Sequence, residues 1–300
     1  MKFSRCLQVI LLFLLLSAGL TVSVTAESRG KIAQTAAGQK KVTLSWERSG
    51  EAVSYEIFYR YAVHKKYHLL KRVETSAARP SVSVNLPKAG RKYGIKIVPY
   101  NGEGEKGDAY LLADCVTLPG KISLRSQKSY ATSRTMKIYW KDVESAQGYE
   151  FLAESLSKDT VKRYRSGKKT STVLTDILPG RFYKLRIRGY TRVNGKNVYG
   201  TASYTYIAQQ PRVKFKWGSH SVSLASWPAV EGAADYTVYL TDHPASGYRK
   251  VKTTQETQAA ITGLSKNRKY YVYVTANMRR GKKVYASPRT KRYTFRLQTE

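Results

Sequence analysis

Cysteine is nearly absent from this 300-residue chain: Cys6 and Cys115 are the two thiols. Cys6 falls in a leader-like N-terminus, so a single thiol remains beyond it, and neither an internal disulfide nor a cysteine metal cluster can be built. Cys115 is expected as a small buried hydrophobe in a strand, with a disulfide-linked dimer as the alternative. Histidine is scarce too, at His64, His68, His220 and His243. His64 and His68 would pair on one face of a helix, but "YAVHKKYHLL" reads as strand and loop, which favours exposed loop histidines over a metal site. Acids number 20 against 53 Lys+Arg and are scattered, so a glycosidase carboxylate pair would have to be assembled from unlinked loops. Nucleophile elbow, phosphate loop and His-Glu-x-x-His helix are all missing. These gaps argue against an enzyme and against any cofactor.

Long apolar runs are missing after the first 24 residues. Before that, Lys2 and Arg5 precede the apolar stretch Leu7–Leu16, and Val24-Thr25-Ala26 is a small-residue cleavage site. Residues 1–26 therefore read as a signal peptide on a secreted protein, with the mature chain starting near Glu27. An uncleaved anchor is the alternative, because Leu7 to Val24 is just long enough to cross a bilayer. Asn-x-Ser/Thr is missing as well, which fits a bacterial secreted origin, and "RYTFRLQTE" has no sorting signal that would support covalent wall anchoring.

What the chain does have is repetition. "SWERSGEAVSYEIFY", "YWKDVESAQGYEFLA" and "SWPAVEGAADYTVYL" place Trp46, Trp140 and Trp227 nine residues before Tyr55, Tyr149 and Tyr236, with Trp-to-Trp periods of 94 and 87 residues. Each is followed by an aliphatic residue, a turn, then Tyr93, Tyr183 or Tyr270 leading an alternating run. Alternation of Val42, Leu44 and Trp46 with Thr43, Ser45 and Glu47 gives one buried and one wet face, as for Met136, Ile138 and Trp140. The third copy breaks step at "VSLASW": either a bulge sits at Ala225-Ser226 or the inward face is Ser223, Ala225 and Trp227. Asn194-Gly195 suits a tight hairpin needing two positive φ values. Three copies would not share one active site, so the Trp–Tyr spacing is read as packing.

Three such units resemble tandem fibronectin type III domains, in a bacterial-like secreted protein. The resemblance implies an all-β fold of three immunoglobulin-like β-sandwiches after an N-terminal signal helix. It places Trp46, Trp140 and Trp227 between the sheets and makes Tyr93, Tyr183 and Tyr270 corner residues whose hydroxyls bond back to upstream backbone. The first copy carries one extra residue before Tyr93, so its corner turn is expected to differ. Units are assigned to 30–118, 119–208 and 209–300. "TLPGKI" (117–122) and "AQQPRV" (208–213) are the linkers, short enough for an extended, semi-rigid array. Lys106-Gly107-Asp108 matches a variant integrin tripeptide, but Gly and Asp are ordinary turn residues and three residues are unspecific.

Formal charge is +33. The first unit carries 15 basic and 8 acidic residues, the second 18 and 6, the third 17 and 5. Such a field attracts polyanions: cell-wall polymers, acidic glycans, nucleic acid, or anionic lipid if the leader stays as an anchor; an extracellular protein is the further partner considered. In the second unit Lys184, Arg186 and Arg188 point outward beside Glu150, Leu152 and Glu154, so cross-strand ion pairs are expected there. In the third, Tyr239, Tyr271 and Tyr273 point outward without an acid, and "MRRGKKVY" adds Arg279, Arg280, Lys282 and Lys283. Those seven residues are the candidate ligand-binding face, stacking a sugar ring while holding an anion; plain cross-strand packing of the tyrosines is the competing reading. The function expected is a non-catalytic, strongly basic cell-surface or secreted binding and adhesion protein for anionic polysaccharide or wall polymers. An accessory carbohydrate-targeting subunit, or a spacer, for a separate extracellular enzyme is the alternative.

Overall fold

The computed structural model describes residues 32–129, 134–156, 160–217 and 223–296. The leader, Cys6 and His220 lie outside the described residues. The chain divides into two compact units. One runs to Cys115 apart from segments 37–40 and 87–91; the other takes those segments and residues 116–300.

The first sandwich is built from β1 (Ala33–Ala37), β2 (Lys41–Ser45), β3 (Ser54–Tyr61), β4 (His68–Glu74), β5 (Ser81–Asn85), β6 (Lys92–Tyr100) and β7 (Tyr110–Val116). They pair as β1-β2-β5 and β4-β3-β6-β7. The second contains β8 (Leu124–Ser129), β9 (Met136–Trp140), β10 (Gly148–Ser155), β11 (Val161–Ser166), β12 (Ser171–Leu174), β13 (Phe182–Val193), β14 (Lys196–Tyr199) and β15 (Ser203–Ala208). Its sheets are β12-β9-β8 and β11-β10-β13-β14, with β15 also on β13. The third repeats this plan: β16 (Lys214–Trp217), β17 (Ser223–Ser226), β18 (Asp235–Thr241), β19 (Arg249–Thr254), β20 (Gln258–Ile261), β21 (Lys269–Arg280), β22 (Lys283–Ala286) and β23 (Tyr293–Arg296). Its sheets are β16-β17-β20 and β19-β18-β21-β22, with β23 on β21. Each sandwich therefore sets a three-stranded sheet against a larger one, the strand layout of a fibronectin type III repeat.

The repeated rings are packing. Trp46, Trp140 and Trp227 are all buried, and each lies edge-on or tilted against its Tyr at 5.2, 5.1 and 5.2 Å between centroids. Large rings remove much apolar area from water per residue, which suits thin two-sheet cores with no disulfide. The break in the third copy resolves in favour of one of its two readings: Ser223, Ala225 and Trp227 are buried, and β17 pairs with β16 and β20 in unbroken register. Cys115 is buried in the first core. Both Asn194 and Gly195 have positive φ, 50° and 73°, as the β13–β14 hairpin requires.

The corner tyrosines tie loops to strands. The Leu178 N–H donates to the Tyr183 hydroxyl at 3.0 Å, and the Ser265 N–H to that of Tyr270 at 2.9 Å. In the first copy Tyr93 is buried against Tyr61 and Tyr59, at 5.3 and 6.0 Å.

Within the larger unit the second and third sandwiches are docked. Phe182 is part of the third core, its N–H donates to the Glu231 carbonyl at 2.9 Å, and the Glu231 N–H donates to the Gly180 carbonyl at 2.8 Å. The stretch read as a linker is packed: Ala208, Gln209 and Gln210 are buried, and the Gln209 amide donates to the Thr135 and Ile177 carbonyls. Tyr206 meets Tyr285 at 5.0 Å, so the β21–β22 hairpin rests on the second sandwich.

Candidate ligand-binding face

Alternation along β18 and β21 turns Tyr239, Tyr271 and Tyr273 outward. Antiparallel register sets Tyr239 directly opposite Tyr273, and their rings stack at 4.7 Å with 20° between planes. Tyr248, from the loop before β19, closes on Tyr273 at 4.8 Å. The Arg289 guanidinium lies 5.8 Å from the Tyr273 centroid. Tyr271 is approached by Arg292 at 5.2 Å and Lys269 at 5.8 Å. Burial pushes the Tyr273 phenol above its ordinary value, and the neighbouring Tyr239 and Tyr248 add to that, so the hydroxyl is a neutral donor at physiological pH.

This arrangement alters the expected site in three ways. Tyr273 sits between other groups and serves as a buttress, so ring area for a ligand falls to Tyr239 and Tyr271. Second, the cations beside the rings are Arg289, Arg292 and Lys269. The first two follow β22 in "SPRTKRY", and Tyr248 sits in a loop, where no alternation marks a side chain's direction, so sequence reasoning passed over them. Third, Arg279, Arg280, Lys282 and Lys283 are not at the tyrosines. From Tyr273 to Arg279 is six residues of extended strand, about 20 Å, too far for one sugar residue to bridge.

Arg279 is instead paired with an acid of its own. Arg279 Nε donates to buried Asp235 at 2.6 Å. Asn277 donates to the same carboxylate and to Thr237, both at 2.8 Å. Register makes this happen: Asp235 faces Asn277 across the strands. Arg280 instead lies over the ring of Tyr206 in the second sandwich, at 5.6 Å, while Lys282 and Lys283 are exposed at the hairpin turn.

The other sequence candidates are placed plainly. His68 stacks on Tyr59 at 5.5 Å and His64 meets Tyr61 at 5.7 Å, both exposed on strand and turn. Among the described residues no group of three or more His, Cys, Asp or Glu is placed to hold a metal ion. Lys106 bridges back to Tyr100, and the Gly107 N–H donates to the Pro99 carbonyl at 3.0 Å. The tripeptide thus lies on the return arm of its loop, held against β6.

The fold and its ring pattern define an all-β protein of fibronectin type III-like repeats. No family model matches the chain. It is similar to human "Tenascin-N", 24% identical over 246 residues that cover 79% of this chain and 18% of that protein. It is likewise similar to mouse "Tenascin-N", 27% identical over 191 residues, 62% of this chain and 12% of the other. The chain spans less than a fifth of the length of these curated relatives. Among solved structures, the FN1–FN3 domains of chicken CNTN1 align over 89% of this chain and 97% of theirs, at 15% identity and a TM-score of 0.32. These animal matches lend the expected bacterial origin no support.

Proposed function

We propose that this is a non-catalytic extracellular binding or adhesion protein whose ligands are anionic polymers. The observation that carries the reading is the pairing of the outward Tyr271 ring with two cations, Arg292 and Lys269. A ring flanked by a guanidinium offers a flat apolar surface and a charge within one sugar's reach. The formal charge of +33 supplies long-range attraction, and the leader-like N-terminus supports export. Similarity to tenascins supports the binding-module class and says nothing about the ligand.

The test is a pull-down of the full chain on purified anionic wall polymer, acidic glycan and DNA at low and moderate salt. The Tyr271→Ser/Arg292→Ser variant is expected to lose several-fold affinity for the polysaccharides while its melting curve stays put. Unchanged retention by that variant would remove the tyrosine face from the reading. Retention that survives moderate salt would indicate a neutral sugar interaction in place of a charge-driven one.

A further inference from the structure

The cross-strand ion pairs expected in the second sandwich are present, and most of them converge on one acid. β10 lies between β11 and β13, and register lines up Arg165, Glu150 and Arg188 in one outward row. Arg163, Leu152, Arg186 and Tyr204 form the next. Glu150 was expected to stand out from the sheet, but it is only 1% exposed because the neighbouring guanidiniums cover it.

Four arginines surround this one carboxylate, but they do not share it equally. Arg188 donates from Nε at 2.9 Å and approaches with a terminal nitrogen at 2.7 Å, both to Oε1. The Tyr199 hydroxyl donates to Oε2 at 3.3 Å. Arg165, Arg163 and Arg186 stand at 3.6, 3.9 and 3.9 Å, beyond good hydrogen-bond length. Arg186 Nε is buried with no hydrogen-bond partner. One acid against four guanidiniums leaves three positive charges uncompensated, with donors to spare.

We infer that this arginine face is a binding site for sulfate or phosphate ester groups carried on a polysaccharide chain. A sulfate or phosphate monoester has three outer oxygens, so it can take forks from two guanidiniums at once, which a carboxylate with two oxygens does less well. The lattice of guanidiniums suits a polymer. Arginines two residues apart on a strand are about 7 Å apart, and β11 lies about 10 Å from β13. Glu150 fixes Arg188 by hydrogen bonds and draws the other three guanidiniums toward it by charge before a ligand arrives, which lowers the ordering cost of binding.

The face also continues beyond the four arginines. Lys184 lies over Tyr204 at 5.4 Å, with Glu154 at 3.8 Å, and it pairs across the strands with Tyr206. Arg280 covers Tyr206 from the third sandwich, which brings the β21–β22 turn, with Lys282 and Lys283, to the end of the same track. Arg280, one of the four cations displaced from the tyrosine site, thus belongs here. The inference rests on the proposed polyanion reading but uses a different face, so the two can fail separately.

The experiment measures affinity of the full chain for heparin, for desulfated heparin of equal length, for hyaluronan, for dextran carrying phosphate monoesters and for single-stranded DNA across a salt series. Arg163→Ser/Arg186→Ser should weaken heparin binding about tenfold or more and flatten the log–log salt slope by roughly two, one for each arginine–ester ion pair removed. Lys168→Ser/Lys169→Ser, in the exposed β11–β12 turn, removes the same net charge and should change affinity less than twofold. Tyr271→Ser/Arg292→Ser removes one guanidinium from the other face and should lower the salt slope by no more than about one. Desulfated heparin and hyaluronan should bind at least tenfold more weakly than heparin; the phosphorylated dextran, compared with heparin, distinguishes phosphate from sulfate as the preferred group. Equal losses in the two charge-matched variants, or equal binding of hyaluronan and heparin, would overturn the inference. So would tighter binding of single-stranded DNA than of heparin. Loss in the tyrosine-face variant alone would overturn it while sparing the earlier reading.

Discussion

Glu150→Gln separates a structural ion cluster from a decorative one. The substitution keeps size and removes one charge from a site that is 1% exposed. It deletes the charge-assisted pairing with Arg188 and leaves four guanidiniums repelling one another. A hydrogen bond to a charged group is worth about 1.5–3 kcal/mol, and removing one partner of a buried pair about 3–5. The arginines are partly exposed, so water screens part of this, and a loss of about 2–4 kcal/mol is expected. Over the second unit that corresponds to roughly 5–15 °C in melting temperature, at about 2–4 °C per kcal/mol. Burial pushes the Glu150 carboxyl up, but the bond and charge of Arg188, the charge of Arg163 and the Tyr199 hydroxyl outweigh it and hold the value below 4.5. The folded value is depressed, so the stabilisation is complete above pH 4.5 and disappears as pH falls through the lower folded value. Calorimetry from pH 7 to 3 should show wild type and variant far apart at neutral pH and converging in acid. Glu154→Gln, at an exposed carboxylate, should shift little. If Glu150→Gln matches Glu154→Gln, or its deficit persists unchanged at pH 3, the cluster does not stabilise the sheet.

Other perturbations test the packing. Tyr183→Phe and Tyr270→Phe each strand a backbone N–H, that of Leu178 or Ser265. Each should cost about 1–2 kcal/mol in urea titration; losses under roughly 0.3 kcal/mol in both would deny the corner bond a role. Trp140→Ala should cost about 3–5 kcal/mol, whereas Tyr204→Ala, at an exposed ring, should stay within about 0.5. Gly232→Ala forces a side chain onto φ +81° and to within 2.8 Å of Met278 Cε, with Leu156 and Phe182 beside it. It should destabilise by about 1–2 kcal/mol and hasten proteolytic cleavage between the docked sandwiches; an unchanged cleavage rate would show that this turn does not hold them together.

By itself the sequence determined the all-β class, the threefold repeat, the inward faces of the first two copies and the core positions of Trp46, Trp140, Trp227 and their tyrosine neighbours. Those follow from a period of two along a strand, which is local and survives in any window of a few residues. The tertiary structure alone decided which outward side chains meet. Glu150 looked exposed by alternation, but long arginines from two flanking strands cover it. Arg279 looked free, yet register sets its strand beside Asp235. Arg280 looked like a neighbour of Tyr273, whereas docking of the third sandwich lays it on Tyr206 of the second. Lateral meetings depend on strand register and on how one sandwich sits against the next, and both couple residues tens of positions apart that no local pattern relates.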